Sequence, residues 1–362
     1  MFYYLYCQFH EAISALNIFR YITFRAAMAA VSAFLISLIL GPTVIRKLKE
    51  LKVGEKITKG DSVKLDDLHQ HKKDTPTMGG ILILAAIVFS TLLWADISNK
   101  YIVIALFSTI WLGITGFIDD YLKQIKKRSK GLTAKTKLIS QIMLSVILGF
   151  ILLSDSPRNI NLDVPFLKDV SINLDGFYIL FVALVIAGSS NAVNLTDGLD
   201  GLAAGIVVMV AIAFSVLCYV TGNLKFSNYL LIPYIKGAGE LTIFCASIIG
   251  AGMGFLWFNC YPASVFMGDV GSLALGGAIG TVALLIKKEL LLVIVGGIFV
   301  VEALSVILQV AAFKLTKKRI FKIAPLHHHF QFLNWPENKV IVRFWIIASL
   351  LALLTLVTLK TR

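Results

Sequence analysis

The amino-acid sequence predicts an all-α integral membrane protein with about ten transmembrane helices. Of its 362 residues, 57% are hydrophobic and only 15% are charged, and the mean hydropathy is +0.82. Apolar runs of about 17–25 residues, the length that crosses a bilayer as a helix, recur along the whole chain. A soluble protein of this length needs more polar surface than these charged residues provide. Residues 1–362 are therefore predicted to form a single polytopic membrane domain.

Each predicted span is an apolar window bounded by polar or charged residues. The ten spans cover residues 22–45, 78–94, 101–118, 138–153, 177–193, 202–221, 241–257, 271–286, 290–313 and 341–359. Residues 1–20 contain Glu11 and Arg20 among aromatic side chains, so we interpret them as an interfacial lead-in and not as a cleaved signal peptide. Residues 159–174 alternate enough to predict a small periplasmic β-hairpin, and residues 224–240 are interpreted as a surface helix.

The distribution of Lys and Arg predicts the orientation of the chain. The loops after spans 1, 3, 5, 7 and 9 carry 22 of these residues, whereas the loops after spans 2, 4, 6 and 8 carry 7. The positive-inside rule then places the first set in the cytoplasm and both termini in the periplasm. The net charge of +13 follows from this topology and from attraction to anionic headgroups of membrane lipid. No nucleic-acid partner is predicted.

Two of the predicted cytoplasmic loops contain no Lys or Arg but keep acidic residues. The loop after span 5 contains Asp197 and Asp200, which share one face with Asn194 if the stretch is helical. Asp269 lies in the loop after span 7, at the start of span 8, where a lone carboxylate could equally be a helix N-cap. All three aspartates are predicted to lie on the same side of the membrane.

Asp119 and Asp120 end span 3 on that same side. Adjacent carboxylates repel one another by roughly 4 kcal/mol at ~4 Å in an effective dielectric near 20, so a nearby cation would stabilise the pair. Carboxylate oxygens are hard ligands of the kind that Mg²⁺ prefers. The five aspartates therefore predict a metal site at the cytoplasmic face.

Basic and histidine side chains stand in the neighbouring loops. Lys72 precedes TPTMGG, and seven Lys or Arg residues follow the Asp119–Asp120 pair, a combination that suits a diphosphate substrate. Three consecutive histidines begin at His327. Adjacent side chains cannot all face one metal ion, so we predict that they form hydrogen bonds to phosphate or act in acid–base catalysis. The alternative is that they only pack the loop. Glu302 and Gln309 share one face of span 9 and are expected to line the same cleft.

Four segments resemble the phospho-N-acetylmuramoyl-pentapeptide transferase family, within the polyprenyl-phosphate N-acetylhexosamine-1-phosphate transferase superfamily. They are KKDTPTMGGILIL, GFIDDYLK, NAVNLTDGLDGLA with FMGDVGSLALGG, and APLHHHF, in the family's order between residues 72 and 330. The resemblance implies a bacterial inner-membrane enzyme of peptidoglycan synthesis that acts as a homodimer. Its substrates would be UDP-N-acetylmuramoyl-pentapeptide and undecaprenyl phosphate, converted with Mg²⁺ to lipid I and UMP.

The resemblance also implies the site residues. Asp119, Asp120, Asp269 and His327 match catalytic positions, and Asp269 matches the metal ligand. The positions around the nucleotide sugar and its phosphates are matched by Lys72, Thr77, Lys123, Lys127, Lys135, Asn194, Asp197, Asp200, Asn259, Phe266, Gln309, His328 and His329.

Three alternatives stand beside this family: a related transferase and two proteins of other classes. A sister transferase acting on a UDP-N-acetylhexosamine would share the aspartates, but TPTMGG and PLHHHF favour the muramoyl-peptide enzyme. An ion-coupled transporter would place charges at the membrane midplane, whereas here they gather at helix ends. A membrane metalloprotease would need HExxH, which the sequence lacks.

For the transferase reaction, two routes remain open. The lipid phosphate could displace UMP directly, or the transfer could pass through an aspartyl phosphate in two steps.

Overall fold

The computed structural model describes residues 1–51, 75–124, 126, 131–155, 161–165 and 171–360, and most of them are helical. Within this part of the chain, nine helices are long and apolar enough to cross a membrane. A tenth apolar helix, Gly80–Trp94, is shorter. The all-α, multi-pass class predicted from the sequence is therefore confirmed.

The helices are numbered here in chain order. They are α1 (Phe2–Phe9), α2 (Ile22–Glu50), α3 (Gly80–Trp94), α4 (Lys100–Gln124), α5 (Ala134–Asp155), α6 (Tyr178–Thr196), α7 (Leu202–Thr221), α8 (Leu224–Leu230), α9 (Leu241–Asn259), α10 (Gly268–Leu285), α11 (Glu289–Val295), α12 (Gly297–Thr316), α13 (Leu326–Phe332) and α14 (Glu337–Val357). Single 3₁₀ segments occupy Ser14–Arg20, Asp175–Phe177 and Ala238–Glu240.

Span 9 is interrupted where the sequence predicts one continuous helix. The chain forms α11 and α12 with Gly296 between them, at φ −87° and ψ 18°. Hydrogen bonds still cross the break, because the Gly296 amide donates to Leu292 O at 2.9 Å and the Val300 amide donates to Gly296 O at 3.0 Å. The interruption is therefore local, at a pair of glycines, a common cause of a helix kink. Hydrophobicity runs through it unchanged, so the span prediction missed it.

The small hairpin predicted over residues 159–174 is confirmed. Strand β1 (Asn161–Asp163) pairs antiparallel with β2 (Ser171–Asn173), with Leu162 opposite Ile172. The Asp163 carboxylate lies 3.3 Å from Lys288 Nζ, which ties the hairpin to the connection between α10 and α11. The surface helix predicted over residues 224–240 is shorter than expected, because α8 ends at Leu230 and the chain then forms turns and one 3₁₀ segment.

Two helices organise the bundle. Helix α9 packs against α2, α3 and α7, and α10 packs against α4 and α6. At the α4–α10 crossing, a Cβ on Gly116 would overlap the backbone of Asp269, so only glycine permits this approach. Asp119 and Asp120 lie one turn beyond Gly116 on α4. The close crossing therefore brings the aspartates of the two helices together.

Polar contacts join the helix ends at one end of the bundle, which we call the site end. There the C-termini of α4, α6 and α9 meet the N-termini of α5, α7, α10 and α14: Asn194 contacts Asp269, and the Asp200 amide donates to Glu337 Oε1 at 3.0 Å. The opposite end, which we call the hairpin end, carries β1 and β2. It also holds a buried pair in which Arg25 donates to both Glu240 oxygens at 2.8 and 2.6 Å.

Candidate active site

Three carboxylates meet at the site end. Asp119 and Asp120 lie in the last turns of α4, which continues to Gln124, and Asp269 is the second residue of α10. One oxygen from each lies within 4.8 Å of the other two. Asp119 and Asp120 are buried and Asp269 is half-buried. At this separation two unit negative charges repel by about 3 kcal/mol in an effective dielectric of about 20, so the cluster requires compensating positive charge.

Two lysines supply that charge. Lys137 Nζ, from the first turn of α5, lies 2.7 Å from Asp119 Oδ2 and 2.5 Å from Asp269 Oδ2. Lys123 Nζ, one turn after Asp119 on α4, also pairs with Asp119 and lies 3.0 Å from Asp269 Oδ2. Both ammonium groups thus bridge the same two carboxylates. Three carboxylates and two ammonium groups leave one formal negative charge.

The two adjacent aspartates face different partners. The Leu132 amide donates to Asp119 Oδ1 at 2.6 Å, and the Val270 amide donates to Asp120 Oδ2 at 3.1 Å. Gly268 has φ +72°, and a Cβ there would lie 2.6 Å from Asp120 Oδ2. Glycine at this position therefore lets the start of α10 reach Asp120 without strain. Helical neighbours point about 100° apart, which explains the division of partners.

Asn194 fixes the orientation of Asp269. Its side-chain amide, in the last turn of α6, donates to Asp269 Oδ1 at 2.7 Å and to Ser272 Oγ at 2.8 Å. Helix α6 ends at Thr196, so Asp197 and Asp200 lie in a turn and do not share a helical face with Asn194. The structure nevertheless brings both of them to the same cavity.

A cavity of about 400 Å³ opens beside the carboxylates. Ten of the residues predicted from the sequence line it: Thr77, Asp120, Lys123, Asn194, Asp197, Asp200, Asn259, Phe266, Asp269 and His328. Gln124, Gly198, Leu199 and Gly268 complete its wall. Asp119 is fully buried and does not line the cavity, so Asp120 is the member of the aspartate pair that does.

Two of the lining residues also hold neighbouring loops. Asn259 Oδ1 accepts a hydrogen bond from the Gly201 amide at 3.0 Å, and its Nδ2 donates to Val265 O at 2.8 Å. Asp200 Oδ2 accepts from the Ala263 amide at 2.9 Å. These bonds fix the wall of the cavity between α9 and α10.

Thr77 and Phe266 reach the cavity through a backbone pairing. The Phe266 amide donates to Pro76 O at 2.8 Å, and the Gly79 amide donates to Phe266 O at 2.8 Å. The next pair, Gly80 and Met267, has the same donor–acceptor separation. The segment before α3 is thereby locked to the segment before α10.

The three histidines occupy the short helix α13 and not a loop, and they have three different partners. His327 is fully buried against Glu302 of α12, with Nδ1 3.1 Å from Glu302 Oε2. His328 Nδ1 lies 2.8 Å from Gln331 Oε1. His329 Nδ1 accepts from the Lys322 amide at 3.1 Å. Of the three, His328 lines the cavity.

Some of the predicted site residues lie elsewhere. Lys135 is exposed on the first turn of α5. Gln309 accepts hydrogen bonds from the amides of Ile320 and Phe321 at 3.1 and 3.0 Å, so it holds the chain after α12 and does not line the cavity. Lys72 and Lys127 lie outside the described residues.

Lys137 is the main cluster residue that was not among the predicted site residues. Seven Lys and Arg residues follow the Asp119–Asp120 pair up to Lys137, and their spacing does not distinguish those that face the carboxylates. The helical period of α5 separates Lys137, which faces the carboxylates, from Lys135, which does not, but only once the packing of α5 against α4 is known. Glu302 was expected to line the cleft, but it lies behind the cavity wall as the partner of His327.

The carboxylate cluster has the donor chemistry of a site for a hard divalent cation. Mg²⁺–oxygen distances of about 2.0–2.1 Å put ligands on opposite sides of the ion about 4.2 Å apart. The three carboxylate oxygens lie within 4.8 Å of one another, so their separation would need to shrink by only about half an ångström for them to bind one ion. Asp120 and Asp269 also line the cavity, so a cation held by them would be open to a ligand from that side.

Comparisons with known proteins match this chain along its full length. The model of Glycosyl transferase family 4 matches residues 101–287, and phospho-N-acetylmuramoyl-pentapeptide-transferase signature 1 matches residues 72–84. Proteins named phospho-N-acetylmuramoyl-pentapeptide-transferase are similar to it, at 52% identity in Desulfatibacillum aliphaticivorans and 51% in both Desulforapulum autotrophicum and Desulfotalea psychrophila. Each alignment covers 100% of both chains.

Proposed function

The chain belongs to the phospho-N-acetylmuramoyl-pentapeptide-transferase family, and we propose that its carboxylate–lysine cluster is the active centre for this transfer. The enzyme transfers phospho-N-acetylmuramoyl-pentapeptide from its UDP-linked precursor to undecaprenyl phosphate, forming lipid I and UMP in peptidoglycan synthesis. The observation that carries the assignment of the centre is the pair of lysines bridging Asp119 and Asp269 beside a 400 Å³ cavity. Lysines that can exchange carboxylate for phosphate oxygens suit a diphosphate substrate.

The residues of the cluster have distinct proposed roles. Asp269, oriented by Asn194, would hold Mg²⁺ together with an oxygen of the aspartate pair. Bound Mg²⁺ would neutralise charge on the diphosphate and on the departing UMP. Lys123 and Lys137 bind phosphate oxygens when the substrate enters, and so stabilise charge that develops during transfer.

The aspartate pair aligns or deprotonates the lipid phosphate for attack on the β-phosphorus. Asp120 faces the cavity and Asp119 anchors the lysines, which supports Asp120 as the group nearer the attacking oxygen. The competing route passes through an aspartyl phosphate. Trapping a phosphorylated aspartate during turnover would contradict direct displacement, whereas its absence under quench conditions that preserve acyl phosphates supports it.

The substrate assignment is tested with purified protein, undecaprenyl phosphate and Mg²⁺. We expect lipid I and UMP from UDP-N-acetylmuramoyl-pentapeptide, and no product when UDP-N-acetylglucosamine replaces it. Turnover of the second nucleotide alone would assign the chain to the sister transferases instead.

We propose that residues 1–362 form one domain in the bacterial inner membrane, with the site end in the cytoplasm. The cavity is lined from the connections after spans 1, 3, 5, 7 and 9, through Thr77, Lys123, Asn194, Asn259 and His328 among others, and these are the connections that the charge distribution assigns to the cytoplasm.

Two native cysteines test this orientation. Both are free and exposed. Cys7 lies in α1, and the ammonium group of Met1, just before this helix, donates to Leu92 O and Leu93 O near the C-terminus of α3, so α1 lies at the hairpin end. Cys260 follows α9 at the site end. A membrane-impermeant maleimide applied to spheroplasts should label Cys7 and spare Cys260. Labelling of Cys260 in intact spheroplasts would contradict the proposed orientation.

The homodimer implied by the family resemblance is also a proposal. Light scattering of the detergent-solubilised protein, corrected for bound detergent, should give twice the mass of the 39.7 kDa chain. A mass of one chain at concentrations that support full activity would contradict it.

A further inference from the structure

Glu302 makes three hydrogen bonds to the start of the histidine helix. Its Oε2 accepts from the Leu326 amide at 2.8 Å, its Oε1 accepts from the His327 amide at 3.0 Å, and Oε2 lies 3.1 Å from His327 Nδ1. The Glu302 side chain is 1% exposed and the His327 side chain is fully buried. A carboxylate inside a membrane-spanning helix is costly, and these three donors satisfy it.

The contact determines which imidazole nitrogen carries the proton. An ionised carboxylate only accepts hydrogen bonds, so Nδ1 must carry the hydrogen that it donates to Glu302. In a neutral imidazole the other nitrogen, Nε2, then presents a lone pair and acts as an acceptor. Within the described residues, His327 Nε2 is buried and has no hydrogen-bond partner.

The unpaired nitrogen stands directly behind the cavity wall. A Cβ on Gly198 would overlap His327 Nε2 and would lie 3.3 Å from His328 Nε2. Gly198 itself lines the cavity, in the turn between α6 and α7. Because residue 198 carries no side chain, His327 Nε2 closely approaches the backbone of a residue that lines the cavity.

We propose that Glu302 is a positioning residue that holds His327 in the Nδ1–H tautomer, so that Nε2 accepts a hydrogen bond from an O–H or N–H group of the nucleotide-sugar substrate at the Gly198 wall. The inference rests on the proposed function for the identity of the substrate. The tautomer is a property of the free enzyme and holds or fails independently of activity.

The tautomer is measured first, on wild-type enzyme labelled with ¹⁵N-histidine. The His327 resonances, identified by their loss in His327→Gln, should show a protonated Nδ1 and an unprotonated Nε2. A protonated Nε2 overturns the proposal even if the enzyme forms lipid I normally. An enzyme with the expected tautomer but no transferase activity would instead contradict the proposed function.

Kinetics of Glu302→Gln then test the coupling to substrate. The glutamine amide nitrogen would replace one acceptor and favour the opposite tautomer, so the KM for the nucleotide sugar should rise by up to about tenfold, the worth of one net hydrogen bond. The KM for undecaprenyl phosphate should stay close to wild type, whereas the thermal midpoint should fall, because one of the two backbone amides that donate to Glu302 would lose its acceptor. Equal rises in both KM values would indicate a merely structural role and overturn the proposal.

A double-mutant cycle separates positioning from packing. Glutamine at residue 327 keeps a polar group near the Nε2 position, whereas His327→Asn keeps one only near Nδ1, so the first variant should retain more activity than the second. Because Glu302 acts through His327, Glu302→Gln should cause no further rise of KM in the His327→Gln background. Additive effects of the two substitutions would overturn the proposal. If Glu302→Gln fails to fold, the tautomer measurement on the wild-type enzyme still decides it.

Discussion

Replacing Lys137 by methionine removes a charge from the cluster and keeps the length of the side chain. Lys137 Nζ pairs with Asp119 Oδ2 at 2.7 Å and with Asp269 Oδ2 at 2.5 Å, and its side chain is 17% exposed. Charge-assisted hydrogen bonds contribute about 1.5–3 kcal/mol each, and the lower value applies because Lys123 remains beside both carboxylates. Under the proposed function both bonds pass to phosphate oxygens during transfer, so their loss amounts to about 3 kcal/mol of transition-state stabilisation, or a roughly hundredfold loss of kcat/KM.

The assay is the initial rate of lipid I formation by purified enzyme, and Lys135→Met is the matched control. Lys135 stands two residues earlier on the same helix and is exposed, so its replacement should change kcat/KM by less than about threefold. Lys137→Arg tests whether charge alone suffices. Equal losses in Lys135→Met and Lys137→Met, or near wild-type turnover of a folded Lys137→Met enzyme, would refute the assignment of Lys137 to the site.

Two further predictions concern the approach of α4 to α10 and the metal. Gly116→Ala should lower both the thermal midpoint and the activity, because the added methyl group overlaps the Asp269 backbone. The control is Gly176→Ala, whose added methyl group meets nothing within 4 Å and should leave both quantities unchanged. A fully active Gly116→Ala enzyme would contradict the described crossing. Chelation of divalent cations should abolish lipid I formation, and Mg²⁺ should restore it; activity that persists in excess chelator would contradict a metal held by Asp269.

The parts of the fold that follow from chain-local patterns were predictable. The length of the apolar runs predicts the spans, and the alternation of apolar and polar residues predicts the hairpin around Leu162 and Ile172. The glycine-flanked Asp269 lies at the start of a helix, as the sequence predicts. The kink at Gly296 was not predictable from hydropathy, because the apolar sequence continues through it. The sequence predicts a loop where the histidine helix forms, because the seven residues of this helix are stabilised by Glu302 from another element.

The site was predictable in composition but not in its individual contacts. Five aspartates at helix ends on one side of the membrane predict a metal site, and the structure brings four of them, Asp120, Asp197, Asp200 and Asp269, to one cavity. The choice of Lys137 over Lys135 depends on how α5 packs on α4, which no local spacing encodes. The same holds for Gln309, whose side chain bonds to the backbone eleven and twelve residues further on.

We propose that the Asp269 carboxylate is the metal-holding anchor of the active centre, and one substitution tests this role most directly. Asp269→Asn keeps the shape of the side chain and removes its charge, so turnover should fall by at least about a thousandfold while the protein still folds. Asp163→Asn, at the hairpin end, removes one carboxylate that pairs with Lys288 and should leave turnover within about twofold of wild type. A folded Asp269→Asn enzyme that retains most of its kcat would contradict the claim.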